Sequence, residues 1–104
     1  NIVRDKEELR TAADIILYHH ERWDGKGYPY GLKGETIPLS SRITAIADVY
    51  DALRSKRPYK EEWSHEQAVR EIIKNSGQAF DPTIIQVFLQ LSKQFDEVYT
   101  KLKD

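Results

Sequence analysis

Three observations predict an all-α fold. Apolar residues recur at three- and four-residue steps through most of the chain. Helix start and stop signals fall between those runs. No stretch alternates β-branched with polar residues as a half-buried strand does, so no substantial sheet is expected. The pattern divides into about four helices with a glycine-rich loop between the first two.

The first helical block runs from about Asp5 to Arg22. Leu9, Ala12, Ala13, Ile16, His19 and His20 form its stripe, and Lys6, Glu7, Glu8 and Arg10 its wet face. The next block, about Trp23 to Leu39, contains Gly25, Gly27, Gly31 and Gly34, four of the five glycines, with Pro29 and Pro38. That density implies irregular backbone, and this loop is expected to be the most mobile ordered region. From about Ser40 to Ser55 the helical pattern resumes: Ile43, Ile46, Tyr50 and Leu53 make the main stripe, with small alanines on its flanks. Ser64 and Gln67 read as a capping box opening a third helix, with Ala68, Val69, Ile72 and Ile73 as its apolar face and Gly77 as its stop. Asp81 and Pro82 then read as N-cap and first residue of a fourth helix. Phe80 is placed to staple onto Ile85, and Ile84, Phe88, Leu91, Phe95, Val98 and Leu102 continue the stripe.

Composition narrows the function classes. The 104 residues are 39% hydrophobic and 32% charged, in keeping with one globular unit. Sixteen Lys and Arg against seventeen Asp and Glu leave a net charge of -1, so there is no basic excess of the kind that coats nucleic acid. Cysteine is absent, which excludes disulfides, thiolate zinc sites and cysteine nucleophiles and agrees with a reducing, cytoplasmic compartment. No apolar run approaches the roughly 20 residues of a membrane span. The chain begins without Met, and a fragment of a longer protein is expected.

Several residues carry chemistry. His19 and His20 are adjacent imidazoles at the end of an apolar face, and imidazole is the commonest biological metal ligand. On a helix, neighbours diverge by about 100°, so they would serve different metals, or one would ligate a metal while the other contacts substrate. They read equally as two helix-end histidines, one packed and one solvated. Asp48 lies among alanines, where a carboxylate needs a cation, a metal or donors, yet it also edges a polar stripe with Thr44 and Asp51. The glycines lack the spacing of a P-loop or a dinucleotide-binding turn. Arg54, Lys56, Arg57 and Lys60 place four cations in seven residues, suited to capping a helix end or to gripping a phosphodiester. His65, in the first turn of a helix, is expected at the surface.

The order of these features is more specific than any one of them. His19-His20-Glu21-Arg22-Trp23-Asp24-Gly25-Lys26-Gly27-Tyr28-Pro29 is followed by Gly31-Leu32-Lys33-Gly34, Ile37-Pro38-Leu39, Arg42-Ile43, Ala47-Asp48-Val49-Tyr50-Asp51-Ala52-Leu53 and Arg57-Pro58-Tyr59-Lys60. The run resembles the HD-GYP family of metal-dependent phosphodiesterases that hydrolyse the bacterial second messenger cyclic di-GMP. The match spans about residues 15–60, and Gly27-Tyr28-Pro29 is the family's naming tripeptide.

The resemblance implies a helical-bundle phosphohydrolase with two or three divalent metals, iron or manganese. It implies His19, His20 and Asp48 as metal ligands and Arg57 and Lys60 as phosphate contacts. Tyr28 and Asp51 are placed at the substrate pocket rim, with no catalytic residue beyond the metal ligands. It further implies signal transduction in the cytoplasm, with cyclic di-GMP as partner and a receiver or sensor domain upstream. The family's other naming motif, an adjacent His-Asp pair, is absent from these 104 residues. Residues 1–104 are therefore expected to be the C-terminal part of one such domain, inactive in isolation. Two alternatives remain at this stage. One is a non-catalytic signalling module that meets partners, such as diguanylate-cyclase domains, through the loop at Gly27, Tyr28 and Pro29. The other is a nucleotide phosphohydrolase of the wider superfamily.

Overall fold

Local signals set the helix ends. The computed structural model describes residues 2–102. Helix α1 spans Ile2–Tyr18, α2 Leu39–Arg54, α3 His65–Lys74 and α4 Pro82–Leu102, with a single 3-10 turn at Gly34–Thr36 before α2. Among the described residues there is no strand, only isolated bridges at Arg57–Lys60 and Ser76–Phe80. The capping box forms as the sequence predicts: Gln67 N donates to Ser64 Oγ at 3.2 Å, and Ser64 N to Gln67 Oε1 at 2.9 Å. Helix α3 stops before Gly77, whose φ of +79° lies in the left-handed region that glycine tolerates best. Asp81 then caps α4 by accepting from Thr83 N at 2.8 Å.

The core lies between α2, α3 and α4. Ile46 and Tyr50 come from α2, Ala68 and Ile72 from α3, Ile85 and Phe88 from α4, and Phe80 from the turn before it. The staple pair Phe80 and Ile85 therefore meets in one buried cluster. Tyr50 is its polar anchor. Its ring packs edge-on to Phe88 and Phe95, with centroids 5.9 and 5.5 Å apart. Its hydroxyl accepts from Arg54 Nη1. That arginine also donates to Asp96 at 2.9 Å, joining α2 to α4. The same hydroxyl is hydrogen-bonded to His65 Nδ1 at 2.8 Å. His65 is thus half-buried and hydrogen-bonded rather than a plain surface residue. The proximity of α2 recruited it, which no periodicity reports.

Helix α1 departs most from the expected burial. Leu9 and Ile16 are 71% and 72% exposed, so its predicted stripe faces outward. The helix rests on α2 through a neighbouring face instead, where Ser41 Oγ donates to the Asp14 carbonyl at 2.8 Å. In α2 and α4, Ile43, Leu91, Val98 and Leu102 are likewise exposed, while Ile85 takes an inner position.

A buried ion pair ties the start of α2 to the start of α4. Arg42 Nη1 donates to Asp81 Oδ2 at 2.6 Å, and Arg42 Nε to the Ile37 carbonyl at 2.9 Å. Asp81 is 3% exposed and the Arg42 side chain 15%, so removing Asp81 leaves a largely desolvated guanidinium without its counter-charge. Such losses cost about 3–5 kcal/mol. Asp81→Ala should lower urea-unfolding stability by that amount. Asp81→Asn, which keeps the cap oxygen, should lose less.

Burial pushes the Tyr50 hydroxyl above its ordinary value, against the lowering pull of Arg54. A raised value means that this contribution is complete below the unfolded pKa of about 10. It is lost as pH rises through the folded value. The melting temperature should therefore hold to about pH 10 and then fall, with a shallower alkaline fall in Tyr50→Phe.

Candidate functional site

Helix α1 ends at Tyr18, one residue before the first of the two histidines. His19 and His20 therefore sit in a turn, and the divergence expected of helical neighbours does not apply. Their ring centroids are 4.0 Å apart at 42°. Both line a cavity of about 250 Å³ together with Glu21, Ala45, Asp48, Val49 and Phe80. The structure thus brings His19, His20 and Asp48 to one cleft. Contacts between α1 and α2 advance in the same direction along both helices, from Asp14–Ser41 to the histidines and Asp48.

His19 Nδ1 lies 2.7 Å from the Ile15 carbonyl. A carbonyl only accepts, so Nδ1 carries the proton and the neutral ring keeps its lone pair on Nε2. Metal-binding histidines are commonly oriented this way. His20 is exposed, and its outer face is covered by Tyr28, stacked at 4.9 Å and 14°. Asp48 is exposed at the cavity wall. Imidazole nitrogen and carboxylate oxygen suit a divalent transition ion. Among the described residues, however, no three His, Cys, Asp or Glu side chains converge as a ligand set. The donor chemistry fits, and the set is partial.

The other expected site residues lie elsewhere. Asp51 faces a second, larger cleft of about 780 Å³ between α2 and α4, with Lys56, Phe95 and Tyr99. Arg57 and Lys60 close a tight turn through Arg57 N to Lys60 O and its reciprocal bond. Arg57 is exposed. Lys60 Nζ donates to the carbonyls of Leu53 and Glu61, both at 2.9 Å, and lies 5.5 Å from the Trp63 ring centre. An ammonium has three N–H groups, so one remains for another acceptor.

The glycine-rich loop is fastened at more points than its composition implies. Trp23 N donates to Ala79 O and Asp24 N to Gln78 O, tying its start to the α3–α4 turn. Gly34 N donates to Trp23 O and Tyr28 N to His20 O. The Tyr28–Pro29 peptide is cis. Asp24 pairs with Arg22 at 3.0 Å, and that hydrogen bond, with the Lys26 amide, holds its carboxyl below the usual range. Residues 27 and 20–22 lie so close that a Cβ on Gly27 would sit 2.5 Å from Arg22 N and His20 O.

Nothing in the spacing of the sequence singles out Glu21. Glu21 is 4% exposed, and its two oxygens accept from Tyr30 N and Leu32 N, each at 2.7 Å. A carboxylate directly before a glycine-rich loop is the signal that the sequence offers. Gly27→Ala should force the loop off the 20–22 backbone, measured as faster amide exchange at Tyr28, Tyr30 and Leu32 with residues 65–74 unchanged.

Comparison with known proteins agrees with this geometry. The family model described as "HD domain" matches residues 1–84. The chain is 49% identical over 96 residues to a cyclic di-GMP phosphodiesterase of Thermotoga maritima, covering 92% of this chain and 26% of that protein. It is 47% identical over 90 residues to the cyclic di-GMP phosphodiesterase response regulator RpfG of Xanthomonas campestris, covering 86% of this chain and 24% of that one. A crystal structure of a cyclic GMP-AMP specific phosphodiesterase of Vibrio cholerae superimposes with a TM-score of 0.68 at 37% identity, over 82% of this chain and 20% of that one. The chain thus spans about a quarter of the length of the curated relatives it matches. With the family model covering most of the chain, α1 to α3 and the histidine turn included, the chain belongs to the HD domain family, as its resemblance to the HD-GYP group implied.

Proposed function

We propose that this chain is the C-terminal part of a metal-dependent phosphodiesterase domain that hydrolyses cyclic di-GMP in cytoplasmic signalling. The observation that carries this reading is the gathering of His19, His20 and Asp48 around one cleft, with His19 already oriented through Ile15 O. In this reading these three residues hold divalent metal, iron or manganese, and further ligands come from residues outside the 104. A divalent ion there supplies Lewis acidity toward the phosphoryl oxygens.

The chain's own residues bind and orient. Arg57 offers a planar fork that matches phosphate, and Lys60 a point charge with one N–H to spare. Tyr28 stands at the rim of the histidine cleft with a face suited to a guanine base, whereas Asp51 faces the separate cleft between α2 and α4. An upstream receiver domain is part of the proposal, in keeping with the relative named as a response regulator. Relatives named for 3'3'-cGAMP make that dinucleotide the comparison substrate.

A second reading has its own observation. Tyr28 and Tyr30 on the loop are 61% and 64% exposed, and exposed tyrosines are favoured at protein interfaces. In that reading the loop meets partners such as diguanylate-cyclase domains. Tyr30→Ala, which spares the histidine cleft, separates the two: loss of partner binding with retained hydrolysis assigns the loop to contacts.

Purified alone with manganese or iron, the 104-residue chain should hydrolyse no cyclic di-GMP above background, because its cleft supplies an incomplete ligand set. In the full-length protein, His20→Ala or Asp48→Ala should lower kcat/KM by at least about 100-fold, since even outer-shell changes at metal sites cost 10–100-fold. Full activity in either variant would sink the assignment.

A further inference from the structure

The geometry points to Glu21 as the positioning residue of this cleft. Its carboxylate clamps the Gly-Tyr-Pro loop onto the histidine turn and, through the Tyr28 stack, sets the orientation of the His20 ring. The assignment deepens the reading above and rests on it for the reaction served.

The argument begins with hydrogen-bond accounting. Tyr30 N and Leu32 N have no backbone carbonyl partner among the described residues. Both are satisfied by one side chain, nine and eleven residues earlier. Each bond is charge-assisted and short, which places it among the stronger hydrogen bonds. Glu21 is buried and both of its oxygens are engaged by amides, so it is presented to the loop rather than as a metal donor. The clamp is immediately adjacent in sequence to His20, whose own carbonyl accepts from Tyr28 N. Two residues before Tyr30, the Tyr28 ring lies nearly parallel to the His20 ring. Gly27 provides the absence of a side chain that lets the loop come this close.

The physical consequence concerns His20. It is an exposed residue beyond the end of a helix, where an imidazole ordinarily samples several rotamers. Fixing such a side chain at the moment of ligand binding costs conformational entropy. A tyrosine ring held flat against it removes that freedom in advance, provided the tyrosine is itself held. Tyr28 is 61% exposed, and among the described residues its one aromatic pairing is with His20. The loop backbone must hold the ring, and Glu21 is the side chain that secures that backbone on the far side of Pro29.

The test reads ring-current shifts of the His20 ring protons in the 104-residue chain, with the amides of residues 65–74 as a folding control. In the wild type the stacked Tyr28 should shift them upfield. Glu21→Gln keeps one acceptor oxygen and should lose part of the shift, freeing one of the two amides to exchange. Glu21→Ala should abolish the shift. In a Tyr28→Ala background, where the stack is already absent, adding Glu21→Gln should move the His20 resonances no further. An undiminished shift in folded Glu21→Gln or Glu21→Ala overturns the assignment, and so does an equal Glu21 effect with and without Tyr28. In the full-length protein Glu21→Gln should lower kcat/KM about tenfold. A wild-type protein that hydrolyses no cyclic dinucleotide defeats the functional reading, while the spectra still decide the role of Glu21.

Discussion

Helix α2 touches each of the other three helices, and its faces are committed to different tasks. Ile46 and Tyr50 point into the core with α3 and α4. Ser41 grips α1, Asp48 lines the histidine cleft and Asp51 the larger one. One helix with 100° between successive residues can serve all of these at once. The same economy makes it vulnerable, because a rotation of α2 would misplace the cleft and the core together. Two polar contacts oppose that rotation at opposite ends of the helix. Arg42 is bound to Asp81 at the start, and Arg54 to Asp96 and Tyr50 at the end.

The loop between α1 and α2 illustrates a division between freedom and restraint. Its glycines permit the chain to fold back on residues 20–22. What keeps it there is a set of bonds from outside the glycines: Glu21 to Tyr30 and Leu32, and the α3–α4 turn to Trp23 and Asp24. A glycine-rich segment is therefore not automatically a loose one. Its Tyr28 and Tyr30 rings remain in solvent, so the restrained backbone presents aromatic surface rather than hiding it.

The cationic segment after α2 shows how one residue type can serve two ends. Lys60 satisfies the Leu53 carbonyl near the end of α2, the helix terminus that favours positive charge. This is the solvated-cap reading of the four cations, and it is compatible with a remaining N–H for phosphate. Exposed Arg57 is free of such a structural duty among the contacts described, which makes it the better-placed of the two for a ligand.

Much of this protein was determined by sequence alone. Helix type, the Ser64–Gln67 box, the Asp81 cap and the stop at Gly77 are local, because each depends on residues within a few positions of one another. The collinear run from His19 to Lys60 likewise carried the family without coordinates. Tertiary structure decided the rest, for reasons of distance. Periodicity marks an apolar face but not its partner, so Leu9 and Ile16 were indistinguishable from core residues until α1 was seen to rest on α2 by another face. The end of α1 at Tyr18, four residues short of the Arg22 that the pattern suggests, turned two diverging histidines into neighbours at one cleft, and pattern reading does not resolve helix ends that finely. Glu21, Arg42 and His65 acquired their roles from partners 9 to 39 positions away. Side-chain bonds of that span leave no periodic trace, because they are specified by where the backbone returns and not by what lies beside them in the chain.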